Sequence, residues 1–217
     1  EFSQTLGIQF KESQLAKAPR RRLLRMEDLA NLRPFHWGYH FSEVLEQSGG
    51  FNIIVSKLPC GAFRPTTQEF VQKFSDLASH KQIDLRTFKT AKRSLLNADA
   101  EIADAWLSYQ SQYSLLTDYF YRSPQYDYQS PLLKGKRQRT QLRRHWLFVE
   151  RCFHLLAPQG VCGLVTSTDI RESPRGVALR SLRENQTDGG LFVGLPGAQR
   201  SSDQCFLVFR KKLEGDC

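Results

Sequence analysis

Three sets of side chains in this sequence are of types that do chemistry. Cys60 follows a short apolar run, Phe51-Asn52-Ile53-Ile54-Val55, and a lone cysteine behind a strand is a candidate nucleophile. Ser167, Asp169 and His154 supply the residue types of a hydrolase triad, but no nucleophile elbow surrounds Ser167, and strand-end polar residues are the better reading. The third set is cationic. Arg20, Arg21, Arg22 and Arg25 form one block, and Lys134, Lys136, Arg137, Arg139, Arg143 and Arg144 form another. Blocks of this kind bind phosphates without reading sequence, and the net charge, 31 − 22 = +9, favours an anionic partner such as nucleic acid. The five cysteines, at 60, 152, 162, 205 and 217, make no CxxC pair and no zinc-type Cys/His spacing. Cys152, Cys162 and Cys205 sit in apolar segments and read as buried free thiols.

The elements that must position these groups follow from composition and period. At 217 residues, 40% apolar and 24% charged, the chain is long enough for one domain with a core and too apolar for a disordered one. No apolar run is long enough to span a bilayer. An odd cysteine count without a secretion signal points to a reducing compartment, the cytoplasm. Residues 11–33 read as a basic helix or linker. The run 51–56 lies between Gly49-Gly50 and Pro59, as a buried parallel strand does. Helical spacing covers 66–80 through Phe70, Val71, Phe74, Leu77 and Ala78. It covers most of 84–121, with Leu95, Ile102, Trp106, Tyr109, Tyr113 and Leu116 as inward positions. Segment 122–140 is a polar, basic loop holding Pro124, Pro131 and Gly135. Then come a helix from Trp146 to Leu156 ended by Pro158 and Gly160, a strand at 161–166, and a helix at 174–184 with Val177, Leu179 and Leu182 inward. Strands near 190–194 and 204–209 close the chain. The alternation implies an α/β sheet with covering helices.

Three stretches, in order, resemble one family. The first holds Phe35-His36-Trp37, Phe41, Glu43-Val44 and Gly49-Gly50-Phe51-Asn52-Ile53-Ile54-Val55-Ser56. The second runs from Phe63-Arg64-Pro65 to Ser75-Asp76-Leu77, with Ala105-Trp106-Leu107, Tyr109 and Ser123-Pro124-Gln125-Tyr126 beyond. The third runs from Leu147-Phe148-Val149-Glu150 through Leu155-Leu156-Ala157-Pro158-Gln159-Gly160 to Leu164-Val165-Thr166-Ser167, then Gly176, Leu179-Arg180 and the closing strand. Together they are similar to adenine-specific DNA methyltransferases of restriction–modification systems, in the type IIS and fused type IIG branches. The resemblance covers about residues 30–212. It implies the C-terminal half of a Rossmann-like methyltransferase sheet with a helical insertion, its last strand antiparallel to the others. It also implies that the catalytic loop leaves the C-terminal end of the strand at 51–56, where open α/β sheets hold ligands, and that the target adenine is flipped out of the duplex.

The pattern breaks where the chemistry should be. The family's Asn-Pro-Pro-Tyr or Asn-Pro-Pro-Trp tetrapeptide falls at Lys57, Leu58, Pro59 and Cys60. The family's Asn accepts hydrogen bonds from the adenine amino group, whereas Lys57 has only donors and brings a cation to a site for a cationic sulfonium. Leu58 loses the ring that stiffens the loop, and Cys60 has no aromatic face for a flipped base. Cys60 as a nucleophile would match cytosine methyltransferases, which the surrounding motif does not. The Gly-rich loop and acidic residue with which the family binds S-adenosylmethionine do not precede residue 35. Gly194 and Gly197 read as turn glycines, and Ser202, Asp203 and Gln204 lack the aromatic that many relatives place before the final strand. The chain therefore reads as a basic segment or linker (1–34), a partial methyltransferase-like domain (35–212) with a helical insert at about 66–121, and a short tail (213–217). The expected activity is none in the chain alone, with no bound S-adenosylmethionine. The expected partners are DNA, held weakly and nonspecifically, and a chain supplying the missing strands or a second copy. His36 and Trp37 are expected to pack or cap beneath the catalytic loop. Non-enzymatic nucleic-acid-binding or assembly module, and one half of a split enzyme, stand as alternative readings.

Overall fold

A computed structural model describes residues 5–129, 132–133, 136–137, 141–173, 176–194 and 204–213. Strands β1 (Phe10–Gln14) and β2 (Lys17–Arg22) precede helices α1 (Met26–Ala30), α2 (Trp37–His40) and α3 (Ser42–Gln47), then β3 (Phe51–Lys57). Four helices follow: α4 (Thr67–Lys73), α5 (Ser75–His80), α6 (Leu85–Ala98) and α7 (Ala100–Arg122). After a 3-10 turn at Pro124–Gln129 come β4 (Leu132–Leu133), β5 (Lys136–Arg137), α8 (Arg144–Leu155), β6 (Leu156–Ser167), α9 (Asp169–Glu172), α10 (Val177–Gln186), β7 (Thr187–Gly194) and β8 (Gln204–Lys211). The chain divides into two compact units, Glu1–Pro34 with Arg64–Tyr119, and Phe35–Phe63 with Phe120–Cys217.

The first unit departs from expectation at its start. Residues 11–33 form a β-hairpin and a five-residue helix, not a basic helix. Pro19 is incompatible with a helix interior, and Phe10 against Ile8 and Leu115 gives the ribbon an anchor. Arg22 lies 4.2 Å over the Phe10 ring and grips Asp28 through two 2.7 Å bonds. One member of the basic block is thus structural. The helical region 66–80 is two helices broken at Phe74 (φ −109°, ψ 40°). Phe70, Phe88, Trp106 and Tyr109 form its aromatic centre. Leu96 and Leu115 are buried where Leu95 and Leu116 were expected to be the inward residues; a break at Ala91 shifts the phase of α6.

The second unit holds a four-stranded mixed sheet in the order β3-β6-β8-β7. β3 runs parallel to β6, and β8 is antiparallel to both of its neighbours. The expected strands are all present and the last one has the expected direction. Before β3, Gly50 allows a close approach: a Cβ there would lie 2.5 Å from the Ala157 nitrogen. One face of the sheet, through Ile54, Cys162, Leu164, Phe192, Leu207 and Phe209, meets Trp146, Val149 and Phe153 of α8, Ile170 of α9, and Leu179 and Leu182 of α10. Burying side chains of this size stabilises by roughly 1.5–3 kcal/mol each, so this inner face is the main core. Within it, a cavity of about 20 Å³ lined by Val149, Phe153, Ile170 and Leu207 has room for about one water and for no ligand.

Candidate functional site

The C-terminal ends of parallel strands are where an open α/β sheet leaves backbone groups and loops free for ligands. Here those are the ends of β3 and β6, and Lys57-Leu58-Pro59-Cys60 stand at the first of them. Lys57 closes β3 opposite Val165 and is exposed. Leu58 turns inward, buried in the main core, and donates its N–H to the Val165 carbonyl at 2.9 Å. Pro59 is exposed. Cys60 is half-buried and its thiol donates to the Leu58 carbonyl at 3.6 Å. The loop then turns at Gly61 (φ +104°), a conformation that favours glycine. It is strapped to the segment before α8. Arg144 N–H donates to the Gly61 carbonyl at 3.0 Å, Phe63 N–H to the Leu142 carbonyl at 2.8 Å, and Ala62 bridges Arg143.

At the end of β6 an anion holds the start of α8. Asp169 receives Arg143 Nη1 at 2.6 Å and Trp146 Nε1 at 3.1 Å, and its Oδ1 lies 2.5 Å from His145 Nε2. Burial pushes the Asp169 carboxyl up, but His145, Trp146 and Arg143 together hold it below the usual carboxylate range. His145 is fully buried, and its Nδ1, like Thr166 Oγ1, has no hydrogen-bond partner among the described residues. The Cys60 thiol is pushed up by burial and by Asp169, against Lys57 and a Ser167 backbone bond. Cys205 is raised to about 11, chiefly by burial. Both are thiols at neutral pH, the state that does not attack.

This geometry rearranges the sequence candidates. Asp169 takes His145, not His154, as its imidazole. The two histidines are nine residues apart on one helix, about 13 Å along its axis, and His154 is exposed near the far end. The Asp169 N–H donates to Ser167 Oγ at 3.4 Å, but His154 stands apart from that pair. Among the described residues, no group of three or more His, Cys, Asp or Glu is placed to hold a metal ion. His36 caps α2 by accepting the Tyr39 N–H at 3.0 Å, and Trp37 packs on Phe41 and Phe51. Both therefore sit at the start of β3, the end opposite Lys57 to Cys60. Of the basic candidates, Arg143 is committed to Asp169 and lies 5.5 Å from the Trp146 ring. Arg144 opens α8, and Lys136 and Arg137 form β5, paired with Leu132–Leu133. Lys134 and Arg139 lie outside the described residues, as do Gly197, Ser202 and Asp203. The Asp169 cluster was missed in the sequence; its only signal was Arg143-Arg144-His145-Trp146 before a helix and Asp169 just past a strand.

No family model matches the chain, and a search of curated proteins found no match. No helix among the described residues is long and apolar enough to cross a membrane.

Proposed function

We propose that this chain is the C-terminal half of a Rossmann-like adenine-specific DNA methyltransferase domain whose catalytic loop has degenerated. The observation that carries this reading is the strand arrangement around that loop. A parallel pair, β3 and β6, is followed by a last strand lying antiparallel between β6 and β7, with Lys57-Leu58-Pro59-Cys60 leaving the C-terminal end of β3. That is the position the resemblance assigns to the catalytic tetrapeptide.

The residues at this end do not fit S-adenosylmethionine. Lys57 brings a cation to the mouth of β3, and Asp169, the carboxylate at the end of β6, is already engaged by three donors. Leu58 is in the core and turns no polar side chain toward a base. The chain alone therefore transfers no methyl group; it keeps the fold and a basic surface that binds DNA by its phosphates. Calorimetry with S-adenosylmethionine and a methyl-transfer assay with labelled cofactor on mixed duplex DNA test this. The expected result is neither binding heat nor incorporation. Incorporation by the chain alone, abolished by Pro59→Ala, would overturn the reading. Lys57→Asn, Leu58→Pro and Cys60→Tyr together are expected not to restore it.

A further inference from the structure

The β1–β2 ribbon belongs wholly to the first unit, and its two strands differ in what covers them. β1 lies against α7: the Ser13 N–H donates to Ser111 Oγ at 2.8 Å, Lys11 Nζ meets Asp118 at 2.5 Å, and Phe10 is buried beside Leu115. β2 is bare. Lys17 to Arg21 are all exposed, and Arg22 alone turns back toward the body. One buried carboxylate fixes the turn that follows. Asp28 holds both Nη atoms of Arg22 and also accepts the Arg25 N–H at 2.8 Å. The side chains of this turn are thereby sorted. Leu24 packs on the cluster of Ile8, Phe10 and Leu115, while Leu23 is 72% exposed, Met26 is 80% exposed, and Arg25 between them is exposed too. Six cations stand between Phe10 and Asp28. Two of them, Lys11 and Arg22, are committed to Asp118 and Asp28. No carboxylate among the described residues forms an ion pair with the other four, although Glu12 stands opposite Arg20 in the register.

We propose that Lys17, Arg20, Arg21, Leu23, Arg25 and Met26 form a docking surface for duplex DNA that is carried by the first unit and is separate in the chain from the basic loop at 134–144. The choice of DNA as the partner rests on the function proposed above; the surface itself rests on the unpaired cations and the bare apolar side chains among them. Pro19 has no N–H to offer a neighbouring strand, and a cationic edge repels one. The edge of β2 therefore presents side chains and recruits no strand. Three of the four unpaired cations are arginines, whose planar forks match phosphate oxygens two at a time. The four lie along a line, with Lys17 to Arg21 spanning about 13 Å of strand. A free phosphate would leave most of that charge unused, whereas duplex DNA carries one charge per roughly 1.7 Å of axis. Leu23 and Met26 fit the same partner, since leucine and methionine are among the side chains that press on sugars and base steps beside the phosphates. From Lys11 to Pro34 there is no aromatic residue on which an unpaired base could stack, which favours a duplex over a single strand. With β1 held on α7, the ribbon cannot enter a major groove as a free two-stranded ribbon does. It meets the backbone along one edge and holds it without reading sequence.

The test is titration of the whole chain, across a salt series, with fluorescent duplexes of two unrelated sequences, a single strand of equal length, and vesicles of anionic phospholipid. Arg20→Gln, Arg21→Gln and Arg25→Gln together are expected to cut duplex affinity roughly tenfold at low salt and to flatten the salt slope by up to about 2.7, at about 0.9 for each lost contact. The loss is expected to be equal for both sequences. Leu23→Ser with Met26→Ser is expected to weaken duplex binding about fourfold, the equivalent of one buried methylene, with the slope unchanged. All five side chains are exposed, so each variant is expected to melt with the parent. Arg86→Gln, Lys89→Gln and Arg93→Gln, exposed on α6, remove the same charge and are expected to leave the slope unchanged. A slope unmoved by the first arginine triple, an equal loss with the α6 triple, tighter binding of the single strand, or vesicle binding that the first triple abolishes would each overturn the proposal and leave the proposed function standing. A parent chain that binds no duplex would overturn both the surface and the DNA partner, and methyl transfer of either sign leaves the surface in place.

Discussion

Leu164 and Val165 are neighbours on β6, alike in chemistry, and point to opposite sides of one sheet. Leu164 is fully buried beneath α8 to α10; Val165 lies on the outer face in a row with Lys57, Phe206 and Val193. The outer face carries Lys57, Arg210 and Asp188 among its apolar residues, and the inner face carries an apolar set covered by helices. Strand β3 shows it most clearly, with Ile54 against the core and Ile53 and Val55 in solvent. Apolar residues on both sides of a strand say that both sides are meant to be covered. They do not say that the covering belongs to the same unit.

The largest expected effect separates the faces directly. Leu164→Ala should cost about 2–5 kcal/mol in urea unfolding, and Val55→Ala no more than about 0.5 kcal/mol. Equal costs would mean that the outer face is covered within the chain. The next effect is confined to the inner side. Glu150, fully buried on α8, accepts the Tyr128 N–H at 2.9 Å and the Gln129 amide at 2.7 Å, and burial pushes it up to about 7 despite those bonds. A raised folded value means that its stabilising contribution is complete below the unfolded value near 4.5 and is lost as pH rises to about 7. The loss is at most about 3 kcal/mol. Melting followed from pH 4 to 8 should show this decline, and Glu150→Gln should flatten it; an unchanged profile would place the slope elsewhere.

Asp169 behaves in the opposite sense. Its lowered folded value makes its contribution complete above the unfolded value and lost as pH falls through the folded one. Asp169→Asn should cost about 1–2 kcal/mol at neutral pH, because it weakens a charged network that is partly exposed. The same variant should flatten the acid limb of stability; if it melts like the parent, Asp169 does not anchor α8. The smallest effect belongs to the basic surface. Arg137→Gln and Arg139→Gln should each flatten the salt slope of binding to unrelated duplexes by up to about 0.9. Arg143→Gln should lower the melting temperature, since its charge holds Asp169. A slope unmoved by the first two would reduce them to a solvated face.

The four sheet strands were legible because Phe51 to Val55, Val161 to Thr166, Leu191 to Val193 and Cys205 to Phe209 are short apolar runs between turn signals. The β1–β2 hairpin was not. Its period is masked by charge, and Arg22 turns from a surface cation into a structural residue only when Phe10 and Asp28 come beside it. Lys57 to Cys60 do end and follow a strand, as the apolar run before them implies, but the burial of Leu58 depends on α8 and β6, about a hundred residues away. The partner of Asp169 was not legible for a similar reason. Sequence offers two candidates on one helix, and only the packing of α8 on β6 decides which one reaches the strand end.

Hydrogen–deuterium exchange along β3 in the isolated chain tests most directly the claim that β3 is an open edge of the sheet, paired with β6 alone. The account predicts two alternating classes: slow exchange at Ile54, Ser56 and Leu58, which face β6, and fast exchange at Ile53, Val55 and Lys57, which face the open edge. Uniformly slow exchange from 53 to 58 would contradict it, because it would mean that β3 is already paired on both sides.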